Sequence, residues 1–130
     1  MTHDLDALFD FEKLEKVGQS GSKCIPVVVQ DYKTLRVLIL GYVNAVALRH
    51  TMDSGYVMFW STSRRELWDK GKTSGNRLKI IDIRVNCEEN SLLFLVDPEG
   101  SGACHTQDSL GYYRESCFYR RLTSNGLEEL

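Results

Sequence analysis

Four cysteines and three histidines are the side chains of this 130-residue chain best suited to metal or nucleophilic chemistry. Cys87 ends an alternating run. Cys104 sits in Gly102-Ala103-Cys104-His105-Thr106, and Cys117 in Ser116-Cys117-Phe118-Tyr119-Arg120-Arg121. Cys24 stands apart, near the first β-type run. Three thiolates with one open or histidine position match the donor set of a zinc site. No Cys-x-x-Cys pair is present, so spacing alone leaves open that these are small core hydrophobes. His105 directly follows Cys104, and neighbouring side chains on a strand point opposite ways. One metal could meet both only from a turn, which Gly100, Ser101, Gly102 and Ala103 permit. His105 is then a ligand, or the base that takes a proton from the attacking water, or an ordinary histidine. His3 and His50 have no surroundings that suggest chemistry.

Two further segments carry cations and hydroxyls. In Phe59-Trp60-Ser61-Thr62-Ser63-Arg64-Arg65-Glu66, Ser63 and Glu66 have the spacing of a capping box, which predicts a short helix ending at Gly71. A helix N-terminus there would attract an anion. Lys70-Gly71-Lys72-Thr73-Ser74-Gly75 follows as a small cationic loop able to cradle a second phosphate. Taken singly, each is also what a capped helix or a turn looks like. Asn86-Cys87-Glu88-Glu89-Asn90 offers oxygen ligands for a hard cation such as magnesium, or simply a polar turn.

The elements that must position these residues are short. A helix is expected over Asp6 to Val17, before a Gly18-to-Ser22 break. Strands are expected over Ile25 to Gln30 and Leu35 to Leu40, joined by a hairpin loop at Asp31-Tyr32-Lys33-Thr34. Asn44 caps a helix running to about Ser54, with Gly55 beyond its end and Ala45, Leu48 and Met52 on one face. Tyr56 to Trp60, Leu78 to Cys87, Ser91 to Val96 and Ser116 to Leu122 read as strands. In the second of these Ile81, Ile83, Val85 and Cys87 face one way and Asp82, Arg84 and Asn86 the other. About six strands and two or three helices with short links make an α+β fold, mostly antiparallel.

A length of 130 residues suits one domain, and such a domain buries roughly two-thirds of its unfolded surface. The net charge of −2 argues against a general nucleic-acid binder, yet leaves room for a local cationic pocket. No apolar run is long enough to span a membrane. The acidic stretch from Met1 to Asp10 does not read as a secretory signal, so a cytoplasmic location with reduced cysteines is expected.

Together the segments resemble the phosphoribosyl-AMP cyclohydrolase family over roughly residues 24 to 122, after an N-terminal extension over 1 to 22. The resemblance rests on Val37-Leu38-Ile39-Leu40-Gly41-Tyr42-Val43-Asn44, Trp60-Ser61-Thr62-Ser63-Arg64, Leu67 through Gly75, Cys104-His105-Thr106 and Ser116 through Arg121. It implies hydrolytic opening of the adenine ring, at the N1–C6 bond of 1-(5-phosphoribosyl)-AMP, by zinc-activated water in histidine biosynthesis. It implies a homodimer with zinc sites at the subunit interface, Cys87 coming from one chain and Cys104 and Cys117 from the other. His105 is carried over as the acid/base or fourth metal neighbour. Trp60, Ser61, Ser63 and Arg64, with Lys70, Lys72, Thr73 and Ser74, are carried over as the substrate shell. The family's magnesium pattern Asp-Cys-Asp-x-Asp is replaced: Asn86, Glu88 and Asn90 stand there, leaving one carboxylate in place of three. Asn76 stands where the family often has histidine, and the stretch from Gln107 to Glu115 is longer than the family's. These departures leave two rivals: a paralogue acting on another modified purine nucleotide, and a non-catalytic zinc- or nucleotide-binding module.

Overall fold

The computed structural model describes residues 4–71 and 74–130. In chain order the elements are α1 (Leu5–Leu8), α2 (Lys13–Gln19), β1 (Ile25–Asp31), β2 (Val37–Val43), α3 (Ala45–Ser54), β3 (Met58–Ser61), β4 (Glu66–Asp69), β5 (Leu78–Val85), β6 (Leu92–Pro98), β7 (Arg120–Thr123) and β8 (Gly126–Glu129). The main sheet runs β2-β1-β6-β5, while β3-β4 and β7-β8 are separate two-stranded sheets. The fold is α+β and mostly antiparallel. The exception is the β1–β6 pair, which is parallel with Val27 beside Leu92 and Val29 beside Phe94.

The β1–β2 hairpin follows from alternation and a side-chain-stabilised turn. Val27 and Val29 are fully buried on one face. At the turn the Asp31 carboxylate accepts the backbone N–H groups of Lys33 (2.8 Å) and Thr34 (3.2 Å). The register sets Val27 opposite Gly41 and Val29 opposite Ile39. β2 then continues to Val43, three residues past the expected end. Asn44 caps α3 by accepting the Ala47 N–H at 2.9 Å, and Gly55 closes the helix in the left-handed conformation.

Several expectations are corrected. The buried positions of α3 are Ala47 and Thr51, with Leu48 partly covered, whereas Ala45 is exposed and Met52 is 57% exposed. Thr51 can enter the core because its hydroxyl accepts the Met58 N–H at 2.9 Å and reaches the Ala47 carbonyl at 3.0 Å. The expected helix after Ser63 is instead the β3–β4 hairpin, with Phe59 opposite Trp68 and Trp60 opposite Leu67. Packing of Phe59, Trp60, Leu67 and Trp68 against the core outweighs the capping-box signal, and Arg65 takes a left-handed φ of 55° in the turn. The helix expected over Asp6 to Val17 is broken in two, because Phe9 is extended and Asp10 accepts the Glu12 N–H in a local turn. The strand expected over Ser116 to Leu122 begins only at Arg120, since Ser116 and Cys117 bond outward to β2, and β8 returns from it.

β5 carries an irregularity between Ile80 and Asp82. It breaks the expected alternation there: Ile81 is exposed, while Ile80 and Ile83 pack against the core. The core lies on one face of the main sheet, where Val27, Val29, Phe94 and Val96 meet Val57, Phe59 and Ala47. Among the described residues no helix is long and apolar enough to cross a membrane.

Candidate active site

Cys104 and Cys117 are brought together from opposite ends of a long excursion. Cys117 is placed by its own N–H, which donates to the Leu38 carbonyl of β2 at 2.8 Å. Beside it, the Ser116 hydroxyl donates to the Val37 carbonyl at 2.8 Å. Cys104 is placed by the tight turn before it. A Cβ on Gly102 would collide with the Tyr113 and Arg114 carbonyls, so only glycine allows this approach. The Cys104 N–H donates to Arg114 O at 2.9 Å, and Arg114 N–H returns to Thr106 O at 3.1 Å.

The two thiols differ in character. Cys104 is 3% exposed, and burial pushes its thiol up. That push is outweighed by the Thr106 hydroxyl at 3.0 Å and the Thr106 N–H at 3.4 Å, helped by Cys117 and Arg114, so the thiol lies below its ordinary value. Cys117 is pushed up to about 12, first by burial and then by the neighbouring Cys104. Lys70 is 2% exposed and donates to the Asn76 carbonyl at 3.2 Å. Burial lowers its pKa, and the charges of Cys117 and Cys104 oppose that. The Lys70 charge opposes the rise of the Cys117 thiol without reversing it. This donor set suits zinc, though it supplies only part of a coordination shell.

Cys87 lies elsewhere. It is exposed in the turn after β5, the strand on the opposite edge of the sheet from β2. Three strand spacings, roughly 14 Å, separate those edges. Among the described residues no three His, Cys, Asp or Glu side chains of one chain gather for a metal. Asn86, Glu88 and Asn90 sit in that same turn and satisfy one another. Asn86 Oδ1 accepts the Glu88 N–H at 2.8 Å, and Asn90 Nδ2 donates to Glu88 Oε2 at 3.1 Å.

His105 follows the buried Cys104 in the chain. It is exposed, edge-on to Trp68 with ring centroids 6.2 Å apart. Two concavities, of about 550 and 530 Å³, meet at this ring and share Arg64, Trp68 and His105. Trp60, Ser61, Ser63 and Arg64 line the first. Lys70 and Ser74 line the second, together with Arg64. Lys72 and Thr73 lie outside the described residues. The hydroxyls of the first concavity come from the β3–β4 turn, where Ser61 Oγ accepts the Arg64 N–H at 3.3 Å. Gly41 lets β2 approach that hairpin closely, since a Cβ there would stand 2.5 Å from the Phe59 ring.

Sequence reasoning missed several residues here, among them Thr62 in the first concavity and Trp68 in both. Lys13 and Tyr42 line the first concavity, and Tyr113 lines the second. No spacing pointed to Lys13, which arrives from the N-terminal extension, whereas Tyr42 lies in a segment that carries the resemblance and Tyr113 in the long Gln107-to-Glu115 stretch, expected beside the site. Asn76 is more structural than its motif implied: its Oδ1 accepts the Ser101 N–H at 2.9 Å and its carbonyl holds Lys70.

The family model for phosphoribosyl-AMP cyclohydrolase matches residues 39–119. A phosphoribosyl-AMP cyclohydrolase of Archaeoglobus fulgidus is 49% identical over 98 residues, covering 75% of this chain and 84% of that protein. One from Methanosarcina barkeri is 44% identical over 119 residues, covering 92% of this chain and 84% of its own length. A histidine biosynthesis bifunctional protein of Aquifex aeolicus is 39% identical over 105 residues, 81% of this chain and 48% of that longer protein. With its thiol pair, its divided cavity and these matches, the chain belongs to the phosphoribosyl-AMP cyclohydrolase family.

Proposed function

We propose that this chain hydrolyses the N1–C6 bond of 1-(5-phosphoribosyl)-AMP, a step of histidine biosynthesis, as a zinc-dependent homodimer. The observation that carries this reading is the pair of concavities meeting at His105, the residue that follows Cys104 in the chain. The substrate has a phosphate at each end and its reacting carbon between them. Arg64, with the Ser61 and Ser63 hydroxyls, would hold one phosphoribosyl arm; Lys70 and Ser74 border the compartment for the other. Trp68, shared by both, offers an aromatic face to the purine. Fixing both arms places C6 beside His105, and such orientation can supply several kcal/mol of barrier reduction.

Zinc, when bound, lowers the pKa of water towards neutrality and so supplies a nucleophile at physiological pH. Cys104 and Cys117 of one protomer would hold it together with Cys87 of a second copy. The exposure of Cys87 supports this sharing. So does the apolar surface beside it, where Val85 is 61% exposed next to a shallow hollow formed with Val28 and Leu93. The imidazole of His105 takes the proton of the water as its oxygen joins C6. It returns a proton to N1 as the C6–N1 bond breaks, leaving a carboxamide on the imidazole ring and an opened amidine.

The self-satisfied Asn86–Asn90 turn supports a reaction that runs without magnesium. The test is turnover of 1-(5-phosphoribosyl)-AMP with zinc alone and with zinc plus magnesium. Equal turnover in both is expected. No turnover in either, from a folded zinc-loaded dimer, would sink the assignment and favour a paralogue with another nucleotide substrate.

A further inference from the structure

The first concavity contains a cation that the family match does not reach. Lys13 opens α2, well before the matched residues 39–119. Its ammonium donates to Thr62 Oγ1 at 3.1 Å and lies 5.7 Å from the centre of the Tyr42 ring. α2 is held in place independently of that contact. Val17 is buried, and Arg65 Nη2 donates to the Gln19 carbonyl at 3.4 Å. The other lysine of this helix, Lys16, turns outward to Asp10 at 3.2 Å. Lys13 has no carboxylate partner among the described residues.

The chemistry of the surroundings is one-sided. Lys13 and Arg64 face the concavity with the hydroxyls of Ser61, Thr62 and Ser63, and no acidic side chain lines it. Trp60, also in its wall, has a buried Nε1 without a hydrogen-bond partner. The second concavity differs, because Glu66 and Asp69 line it beside Lys70. Two cations and three hydroxyls suit a dianion: Arg64 is paired with Glu66 at 3.5 Å, and Lys13 brings a charge that no carboxylate offsets among the described residues. The Thr62 hydroxyl holds the Lys13 ammonium over the opening rather than letting it swing into solvent.

We infer that Lys13 is a substrate-binding residue, which together with Arg64 and the Ser61-Thr62-Ser63 hydroxyls receives one phosphate monoester of the substrate in the first concavity. This rests on the proposed function for the identity of the substrate, but the phosphate site itself can be tested without turnover. Either end of the substrate carries such a group, so AMP and ribose 5-phosphate serve as separate probes.

The experiment compares Lys13→Met, Lys13→Arg and the control Lys16→Met, each as zinc-loaded full-length chain. Loss of one charge-assisted contact predicts a KM about tenfold or more higher in Lys13→Met, with kcat within about twofold. Lys13→Arg should recover most of the KM, and Lys16→Met should match the parent. Calorimetric titration should show AMP or ribose 5-phosphate, whichever arm occupies the site, binding more weakly to Lys13→Met. If neither probe loses affinity, the inference is overturned, whether or not the parent turns over the proposed substrate. A lower Tm in Lys13→Met with unchanged KM would also overturn it, because Lys13 would then only tether α2. An inactive parent whose AMP or ribose 5-phosphate binding still depends on Lys13 would keep the phosphate site and remove the proposed substrate.

Discussion

Along the β2 edge of the main sheet, Ser116 and Cys117 take the free carbonyls of Val37 and Leu38 and close that edge. Along the β5 edge, the backbone of Gly55 and Val57 bonds only to Leu78 and Ile80 at its start. The outer side from Asp82 to Cys87 has no backbone partner among the described residues, and Val85 and Cys87 stand exposed on it. An unpaired strand edge carrying apolar side chains is a liability unless something covers it. The β2 edge carries two ordered thiols, whereas the β5 edge carries one thiol on a turn that satisfies only itself. The comparison teaches that the two edges differ in kind: paired, ordered thiols lie by one, and a single exposed thiol with apolar surface lies on the other, which the proposed shared zinc site would bring together.

The sharpest way to break this comparison is to remove one half at a time. Cys104→Ala, Cys117→Ala and Cys87→Ala should each abolish zinc retention and turnover, read by metal analysis and a steady-state assay. Mixing Cys104→Ala with Cys87→Ala subunits should then restore activity, because one of the two sites in the mixed dimer keeps every sulfur. Full activity in any single variant, or failure of the mixed subunits to regain activity, would end the shared-site reading.

Next in size is His105→Ala. Zinc content should be unchanged while kcat falls by about a hundredfold or more, the usual share of a general acid–base residue. A pH–rate profile that keeps its shape in this variant would remove His105 from the proton path.

Smaller effects test the scaffold on the β2 side. Gly41→Ala forces a methyl against the Phe59 ring, which should cost about 1–3 kcal/mol of stability by chemical denaturation and loosen the first concavity. Smallest is Asn44→Ala, which removes the cap of α3 at a cost of about 1 kcal/mol and should leave kcat alone, since α3 does not line either concavity.

Local signals were legible where one residue decides the backbone. Asn44 and Gly55 bracket α3 as their chemistry requires, and the Asp31 turn joins β1 to β2. They misled where two local rules competed. Ser63 and Glu66 have helix-capping spacing, yet Phe59, Trp60, Leu67 and Trp68 bury better in a hairpin, and the core chose the hairpin. Thr51 is a core residue that the sequence does not announce, because a hydroxyl is costly to bury alone. Its bond to the Met58 N–H exists only once β3 has folded against α3.

The types of the chemical groups were determined by the sequence itself: the Cys104-His105-Thr106 step, the later Cys117, the solitary Cys87 and the hydroxyl-arginine turn from Ser61 to Arg64. Tertiary structure decided their grouping. Cys104 and Cys117 meet because residues 106–114 double back onto the Gly102 turn, and Cys87 is kept away by the width of the sheet. Lys13 and Tyr113 join the two cavities from opposite ends of the chain. A residue's chemistry is written at its own position. Its neighbours across space are set by strand order and close packing, which depend on the whole chain at once.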